Sequence, residues 1–389
     1  MKIKQIIVSG IGGIKELKLE FDEHFNVICG ANGIGKTTIL NIIADAFANT
    51  WSLLKRNSNY SEGHYTILFW DMFGKEREKK FQVKEFNPID NDSGRLPSDE
   101  TKYVMYFGTN RMINYQQLNA IPKDSKRTNY DSGSLFKEGI PISDLKGWFD
   151  NRYVFSDKRE SMTYVQKCNF DIAKKAFGLL DNTIEFKSVD PGSLDIMLKS
   201  SRGDIYFEYL SAGYKTCIYI VLGIMKEIEF RFSEPYINVN DFSGVILIDE
   251  IDLHLHPAWQ ARLITALKEI FPKAQFIVTT HSPSVLQSID TKEIIPLTMD
   301  MEDNIVRKEL ELGDYGLQGW TIEEILRDVM EMPSTTSAFF EKIKSNFDKA
   351  MDEENVVEIK KNYEILRNML HPNSTVKKLL EIQMAGLEE

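Results

Sequence analysis

Cysteine is scarce in this chain, with three (Cys29, Cys168 and Cys217) among 389 residues, far apart in sequence. That excludes a disulfide scaffold and leads us to expect a reducing, cytoplasmic setting. Long apolar runs are missing too. None approaches the roughly 20 residues that span a bilayer, so no membrane segment is expected. The chain opens directly into a strand-like pattern, and no signal peptide is expected. Positive charge is in deficit: 47 Lys and Arg stand against 58 Asp and Glu, a net charge of −11. An acidic surface repels phosphate backbones, which excludes indiscriminate nucleic-acid coating. The basic clusters that do occur are Lys75, Arg77, Lys79 and Lys80, and Lys123, Lys126 and Arg127. Glu76, Glu78 and Asp124 interleave them, so they read as solvated charged faces. No internal repeat or low-complexity block appears. No heptad array separates residues 38 and 211, which excludes a long coiled-coil arm.

What is present is chemically specific. Gly30-Ala31-Asn32-Gly33-Ile34-Gly35-Lys36-Thr37 fits the Walker A pattern G-x-x-x-x-G-K-[ST]. A largely apolar run at 25–29 reads as a buried strand before it. Ile39, Leu40, Ile42, Ile43, Ala46 and Phe47 form an amphipathic helical pattern after it. Strand, glycine-rich loop and helix together make a phosphate site: the glycines let backbone N–H groups wrap the phosphates, and the helix N-terminus adds its positive end. Lys36 is placed to reach the β- and γ-phosphates, and the Thr37 hydroxyl to ligate Mg²⁺.

Further along, 244–248 and 276–278 are continuous apolar runs of the kind buried on both faces of a parallel sheet. Trp259, Leu263, Ala266, Leu267 and Ile270 recur between them at helical spacing, which implies a βαβ unit. The first run ends in Asp249-Glu250, a Walker B pair. Asp249 can hold Mg²⁺, and Glu250 can orient and deprotonate water. The second ends in Thr280-His281-Ser282, where His281 can reach and polarise a γ-phosphate. Leu210-Ser211-Ala212-Gly213-Tyr214 opens an apolar helix, so Ser211 and Gly213 offer a hydroxyl and a backbone N–H to an anion.

The remaining stretches organise around these. Residues 65–70, 80–83 and 102–107 are strand candidates, 87–101 a turn-rich loop, and 113–143 polar and irregular. Residues 144–180 are helix-like, and 183–189, 194–198 and 205–209 alternate like antiparallel strands. Thr321 with Glu324 is a capping-box candidate, and 337–371 is charged and helix-patterned. The expected class is α/β: a mainly parallel central sheet with peripheral antiparallel strands. The expected domains are a core half with Walker A (1–110), an inserted helical and β lobe (111–200), a second core half (201–300) and a helical C-terminal module for dimer or partner contacts (301–389).

The order Walker A, L-S-x-G, Walker B with D-E, then a strand-end histidine resembles the ABC-type P-loop ATPase superfamily. Its members include ABC transporters, SMC proteins, RecF and the ATPase parts of OLD nucleases. The resemblance covers residues 1 to about 282. It implies that Gly30, Asn32, Gly33, Gly35, Lys36, Thr37 and Thr38 bind ATP, and that Thr37 and Asp249 hold Mg²⁺. Glu250 and His281 would be catalytic. It also implies a head-to-tail dimer or higher oligomer in which Ser211 and Gly213 bind the γ-phosphate in trans. The stretch Gly108-Thr109-Asn110-Arg111 falls where the family's Q-loop would, without a glutamine.

Finer features narrow the branch. Asp249-Glu250-Ile251-Asp252-Leu253-His254-Leu255-His256-Pro257 is similar to the D-E-x-x-x-H-L-H-P form of the OLD/RecF-like bacterial AAA branch, as is 315–321. This branch includes the ATPase subunits of Septu-type anti-phage systems. His254 and His256 are then candidates for D-loop contacts across a dimer, with a metal pair as the alternative. The implied partner is a separate effector such as an HNH-type nuclease, with nucleic acid reached through it. The region after His281 shows no Toprim-like acidic constellation, which disfavours a fused nuclease. The alternative function is a RecF/SMC-like repair ATPase that binds DNA directly.

Overall fold

Alternation and continuous apolarity sort the strands into two kinds. β1 (Lys2–Ile11) and β2 (Ile14–Glu20) mix buried and exposed positions, whereas β3 (Phe25–Gly30) is buried throughout. After α1 (Lys36–Asp45) come β4 (Gly63–Trp70) and β5 (Glu76–Val83), again of mixed burial, and the wholly buried β6 (Val104–Phe107). Three helices follow, α2 (Asn129–Glu138), α3 (Asp144–Ser156) and α4 (Tyr164–Leu180), then β7 (Ile184–Val189), β8 (Ile196–Ser200) and β9 (Gly203–Tyr206). α5 (Ala212–Arg231) leads into β10 (Val245–Ile248), α6 (Pro257–Ile270), β11 (Gln275–Thr279) and the single turn α7 (Pro283–Leu286). β12 (Ile294–Met299), β13 (Ile305–Arg307) and α8 (Ile322–Glu324) complete this part. The computed structural model describes residues 1–50, 52–90, 95–111, 115–141, 143–158 and 160–386. Parts of the sequence loops at 87–101 and 113–143 (91–94, 113–114 and 142) lie outside them.

The described chain divides into two compact units, Met1–Glu331 and Met332–Glu389. In the first, six strands form one sheet in the order β13-β12-β3-β11-β10-β6. β12, β3, β11, β10 and β6 are mutually parallel, and only the β13 edge pairs antiparallel. The fully buried strands are the central ones, as continuous apolar runs require. The strands of mixed burial make a separate antiparallel sheet, β2-β1-β4-β5, and β7-β8-β9 make a third.

The central sheet is covered on both sides. Val245, Leu247, Ile277 and Ile28 pack with α1 and the β1–β4 layer. Their alternating neighbours Ile246, Ile248, Val278 and Val27 pack with α3, α4, α5 and α6. A one-residue slip in register would therefore exchange two different cores, which fixes the pairing of these strands. β3 and β12 approach so closely that a Cβ on Gly30 would lie 2.5 Å from the Leu297 carbonyl oxygen, and Gly30 has φ +139°. Only glycine fits there.

Helix α2 lies inside a stretch whose polar sequence reads as irregular. Thr128 and Asp131 form a reciprocal capping box at its start. A Cβ on Gly133 would be 2.8 Å from the Asn49 side chain, so the helix approaches there through a glycine, and Phe136 is the one apolar side chain it adds to the core beside α1. The long helical reading of 144–180 resolves into α3 and α4, with Thr163 and Gln166 capping the second.

The second unit holds α9 (Ala338–Asp352), α10 (Val356–Met369) and α11 (Thr375–Ala385). Ile343, Phe347, Ile359, Leu366, Leu380 and Met384 form its core. Ser337 and Asn355 side chains accept from backbone N–H groups at the starts of α9 and α10.

Candidate functional site

Parallel strands end at one edge of a sheet, so the loops after them gather there. Ile248 is level with Phe107 on β6 and with Val278 on β11, and Thr279 is level with Ile28 on β3. The loop 31–35, Asp249-Glu250, Thr280-His281 and Gly108–Arg111 therefore emerge side by side.

Gly33 and Gly35 have φ +77° and +93°, and Gly35 caps the N-terminus of α1. The chain turns so tightly before α1 because glycine adopts these angles without steric cost. Lys36 is buried, and its Nζ donates to the carbonyls of Gly30 and Ala31, each at 2.9 Å. Burial pulls its ammonium below the usual lysine value, against the opposing pull of Cys29, Glu250, Asp249 and Asp252.

Asp249 is buried, and its Oδ1 accepts from two hydroxyls, Thr37 Oγ1 at 3.1 Å and Thr279 Oγ1 at 2.7 Å. Thr279 Oγ1 accepts in turn from the Glu250 N–H at 2.7 Å. Glu250 has φ +48°, a left-handed conformation that costs a non-glycine residue about 1 kcal/mol or more. The geometry is held from several sides. Ile251 N–H donates to the Thr279 carbonyl at 2.9 Å. The guanidinium of Arg111 donates to the carbonyls of Glu250 (3.2 Å) and Asp249, and to that of Gly108 (2.9 Å).

Asp252 accepts from Thr280 Oγ1 at 2.6 Å and from the His281 N–H at 3.2 Å, which fixes the turn that presents His281. Desolvation, then the Lys36 charge, lower the imidazole below its ordinary value, so it is held neutral near pH 7.

Ser211 caps α5, its hydroxyl accepting from the Tyr214 N–H at 3.3 Å. Gly213 is buried, and a Cβ there would lie 3.2 Å from the His254 carbonyl oxygen. Among the described residues no hydrogen bond joins Ser211 or Gly213 to the 30–38 loop. Asn32 and Gly33 are exposed, and Thr38 is half-buried on the first turn of α1. His254 is exposed with φ +63°. His256 caps α6, accepting from the Ala258 N–H at 3.3 Å. Among the described residues no three His, Cys, Asp or Glu side chains are grouped to hold a metal.

Three residues of this site escape a reading of the sequence. Thr279 and Asp252 are ordinary polar residues whose partners lie about thirty positions away. Arg111 stands in the Gly108–Arg111 stretch, but its burial to 2% exposure and its distant carbonyl partners have no signal in the local sequence.

Comparison with known proteins gives the family. An AAA-domain family model matches residues 5–200, and a second AAA-domain model, named for the AbiEii toxin of Type IV TA systems, matches 200–287. Fold and site define a P-loop ATPase with AAA domains. Septu protein PtuA of Bacillus thuringiensis is 43% identical over 388 residues, which is 98% of this chain and 98% of that protein. The chain belongs to the Septu PtuA family. Septu protein PtuA of Bacillus mycoides (strain KBAB4) is 25% identical over 319 residues, 77% of this chain but 41% of that longer protein. The solved SMC head domain from Thermotoga maritima is 16% identical with a TM-score of 0.45, covering 80% of this chain and 100% of that one.

Proposed function

We propose that this chain is an ATP-driven switch of anti-phage defence that acts in the cytoplasm. Two copies close head-to-tail around ATP, and hydrolysis releases them. The observation that carries this reading is the convergence of Thr37 and Thr279 on one Asp249 oxygen, with Glu250 beside it at the mouth of the glycine loop. A hydroxyl and a carboxylate 3.1 Å apart are hard oxygen donors of the kind Mg²⁺ takes, so the residues present fit that ion. Bound there by Thr37 and Asp249, Mg²⁺ would neutralise charge on the β- and γ-phosphates.

The protein's own groups do the rest. Lys36 exchanges the Gly30 and Ala31 carbonyls for phosphate oxygens, and the loop N–H groups of Gly33, Gly35, Thr37 and Thr38 cradle them. Asn32 contacts the same phosphates. Glu250 takes a proton from water, the water oxygen attacks the γ-phosphorus, and the bond to the bridging oxygen breaks to leave ADP. His281 donates to the γ-phosphate. Ser211 and Gly213 of one copy bind the γ-phosphate held by the other, and His254 and His256 line the contact between copies. Residues 1–110 and 201–300 serve as halves of the ATPase core. The lobe at 111–200 and the helices at 301–389 pass the nucleotide state to an effector such as an HNH-type nuclease, through which nucleic acid is reached.

Arg111 is a positioning residue in this scheme, acting on Glu250 through its carbonyl. Arg111→Ala should lower ATPase kcat roughly tenfold or more while changing KM for ATP much less, and Arg111→Lys should recover only part, because a lysine lacks the forked donors. Steady-state kinetics decide this. An equal rise in KM with unchanged kcat would remove Arg111 from the scheme.

The wider reading is tested by recovering tagged Glu250→Gln protein from its native host in Mg·ATP and identifying what accompanies it by mass spectrometry. A nuclease in fixed stoichiometry is the expected result. DNA with repair factors and no dedicated partner would favour a RecF/SMC-like ATPase that clamps DNA directly. The ion pairs Arg77–Asp71, Lys79–Glu100, Lys80–Glu78 and Lys126–Glu234 speak against such a clamp, since they occupy the basic clusters it would need.

A further inference from the structure

Away from the strand ends, a group of carboxyls sits under α5. Asp150, on α3, is fully buried, and neither of its carboxyl oxygens has a hydrogen-bond partner. Burial pushes this carboxyl up to about 7, against the pull of Lys146 and with Asp195 and Glu208 adding to the rise. Glu208, just beyond β9, also has a buried oxygen, Oε2, without a partner, and burial raises its carboxyl as well. Lys146, one turn before Asp150 on α3, pairs with Asp195 and lies 3.7 Å from Glu208. Lys215 directs its ammonium to the Glu208 carbonyl at 3.0 Å. Acceptors without donors in a buried setting are costly, and three carboxyls here face two lysine ammoniums, Lys146 and Lys215.

A cavity of about 270 Å³ opens beside this group. Gln116, Lys146, Glu208 and Lys215 are among its polar walls, and Phe177, Phe207 and Leu222 among its apolar ones. Apolar walls with a few convergent polar groups and a shifted carboxyl are the features of a small-molecule site.

We propose that this cavity binds a small amphipathic cation, an ammonium or guanidinium on a compact aromatic body, whose charged head pairs with Glu208 in the field of Asp150 and Asp195. The aromatic body rests on Phe177 and Phe207. Lys215, Ile218 and Leu222 of the cavity wall belong to α5, the helix that Ser211 and Gly213 open, so an occupant bears on the signature end. That consequence rests on the ATPase reading. The binding site does not.

The test is isothermal titration of the nucleotide-free full chain at pH 7.5 with tryptamine and phenethylamine, against indole-3-acetate and 3-phenylpropionate as anionic counterparts. Saturable one-to-one binding of an amine is expected, with its anionic counterpart at least roughly a hundredfold weaker. Glu208→Gln should weaken the amine roughly tenfold, the loss of one charge-assisted hydrogen bond. Should that variant fold poorly, the ligand charge series on the unaltered chain decides alone. The Lys36→Ala protein should bind the amine as the parent does, which separates this site from the nucleotide site. No saturable amine binding, anions binding as well as amines, or folded Glu208→Gln protein binding unchanged would overturn the proposal.

Discussion

Lys36→Ala protein should fold and gain at most about half the stability that ATP gives the parent. The Lys36 ammonium is satisfied by two carbonyls of the glycine loop, so its removal disturbs the loop rather than the packed core. With nucleotide the balance differs, because the ammonium is then the strongest point charge at the β- and γ-phosphates. Losing a buried, charge-assisted set of hydrogen bonds weakens affinity by a factor of roughly ten to a hundred. A ligand present at about a hundred times its Kd adds about 2.7 kcal/mol to stability. A thermal melt with and without Mg·ATP at that concentration should therefore show a clear rise for the parent and about half of it or less for the variant. An equal rise in both would place nucleotide elsewhere.

Glu250→Gln should bind ATP and turn it over slowly. The amide keeps the shape of the side chain and its backbone bonds to Thr279 and Arg111, but it cannot accept a proton from water. Loss of a general base costs roughly a hundredfold to ten-thousandfold in rate. ATP then persists in the site, and a dimer held by ATP persists with it, so light scattering should show the ATP-bound form near twice the chain mass. The Lys36→Ala form should stay at its nucleotide-free mass under the same conditions. Turnover near the parent rate in Glu250→Gln would assign the base to another residue. A slow variant that never dimerises would keep the base and remove the switch.

Much of this arrangement is legible without coordinates, for a physical reason. A strand covered on both faces leaves little room for polar side chains, so 244–248 and 25–29, where the one polar residue Asn26 is bonded to the backbone of Asp22 and Phe276, announce themselves as central strands. A loop that must turn at positive φ and let N–H groups approach a phosphate needs glycine at fixed spacing. Asp249 and Glu250 are readable because they follow a run that ends where the loop begins. Other parts are not legible, because their meaning depends on a distant partner. Arg111 reaches carbonyls 138 and 139 positions away, and nothing local to it says so. The residues of β1 and β4 show that they are strands, but alternation cannot say which sheet they join. They form a separate layer whose side chains meet the central sheet through Ile28, Val245 and Leu247. Helix α2 escapes because it packs through Gly133 and begins in a polar capping box, so it lacks the apolar stripe on which periodicity depends.

The head-to-tail dimer with shared sites is the central claim, and complementation tests it most directly. Lys36→Ala removes one half of each composite site, and Ser211→Arg removes the other. Each variant alone should be inactive in an ATPase assay. Mixed in equal amounts, half of the dimers pair the two variants and carry one intact site of two, so about one quarter of the parent activity should return. Activity that stays at zero in a mixture shown to form mixed dimers would place both halves of the site in one chain and contradict the account.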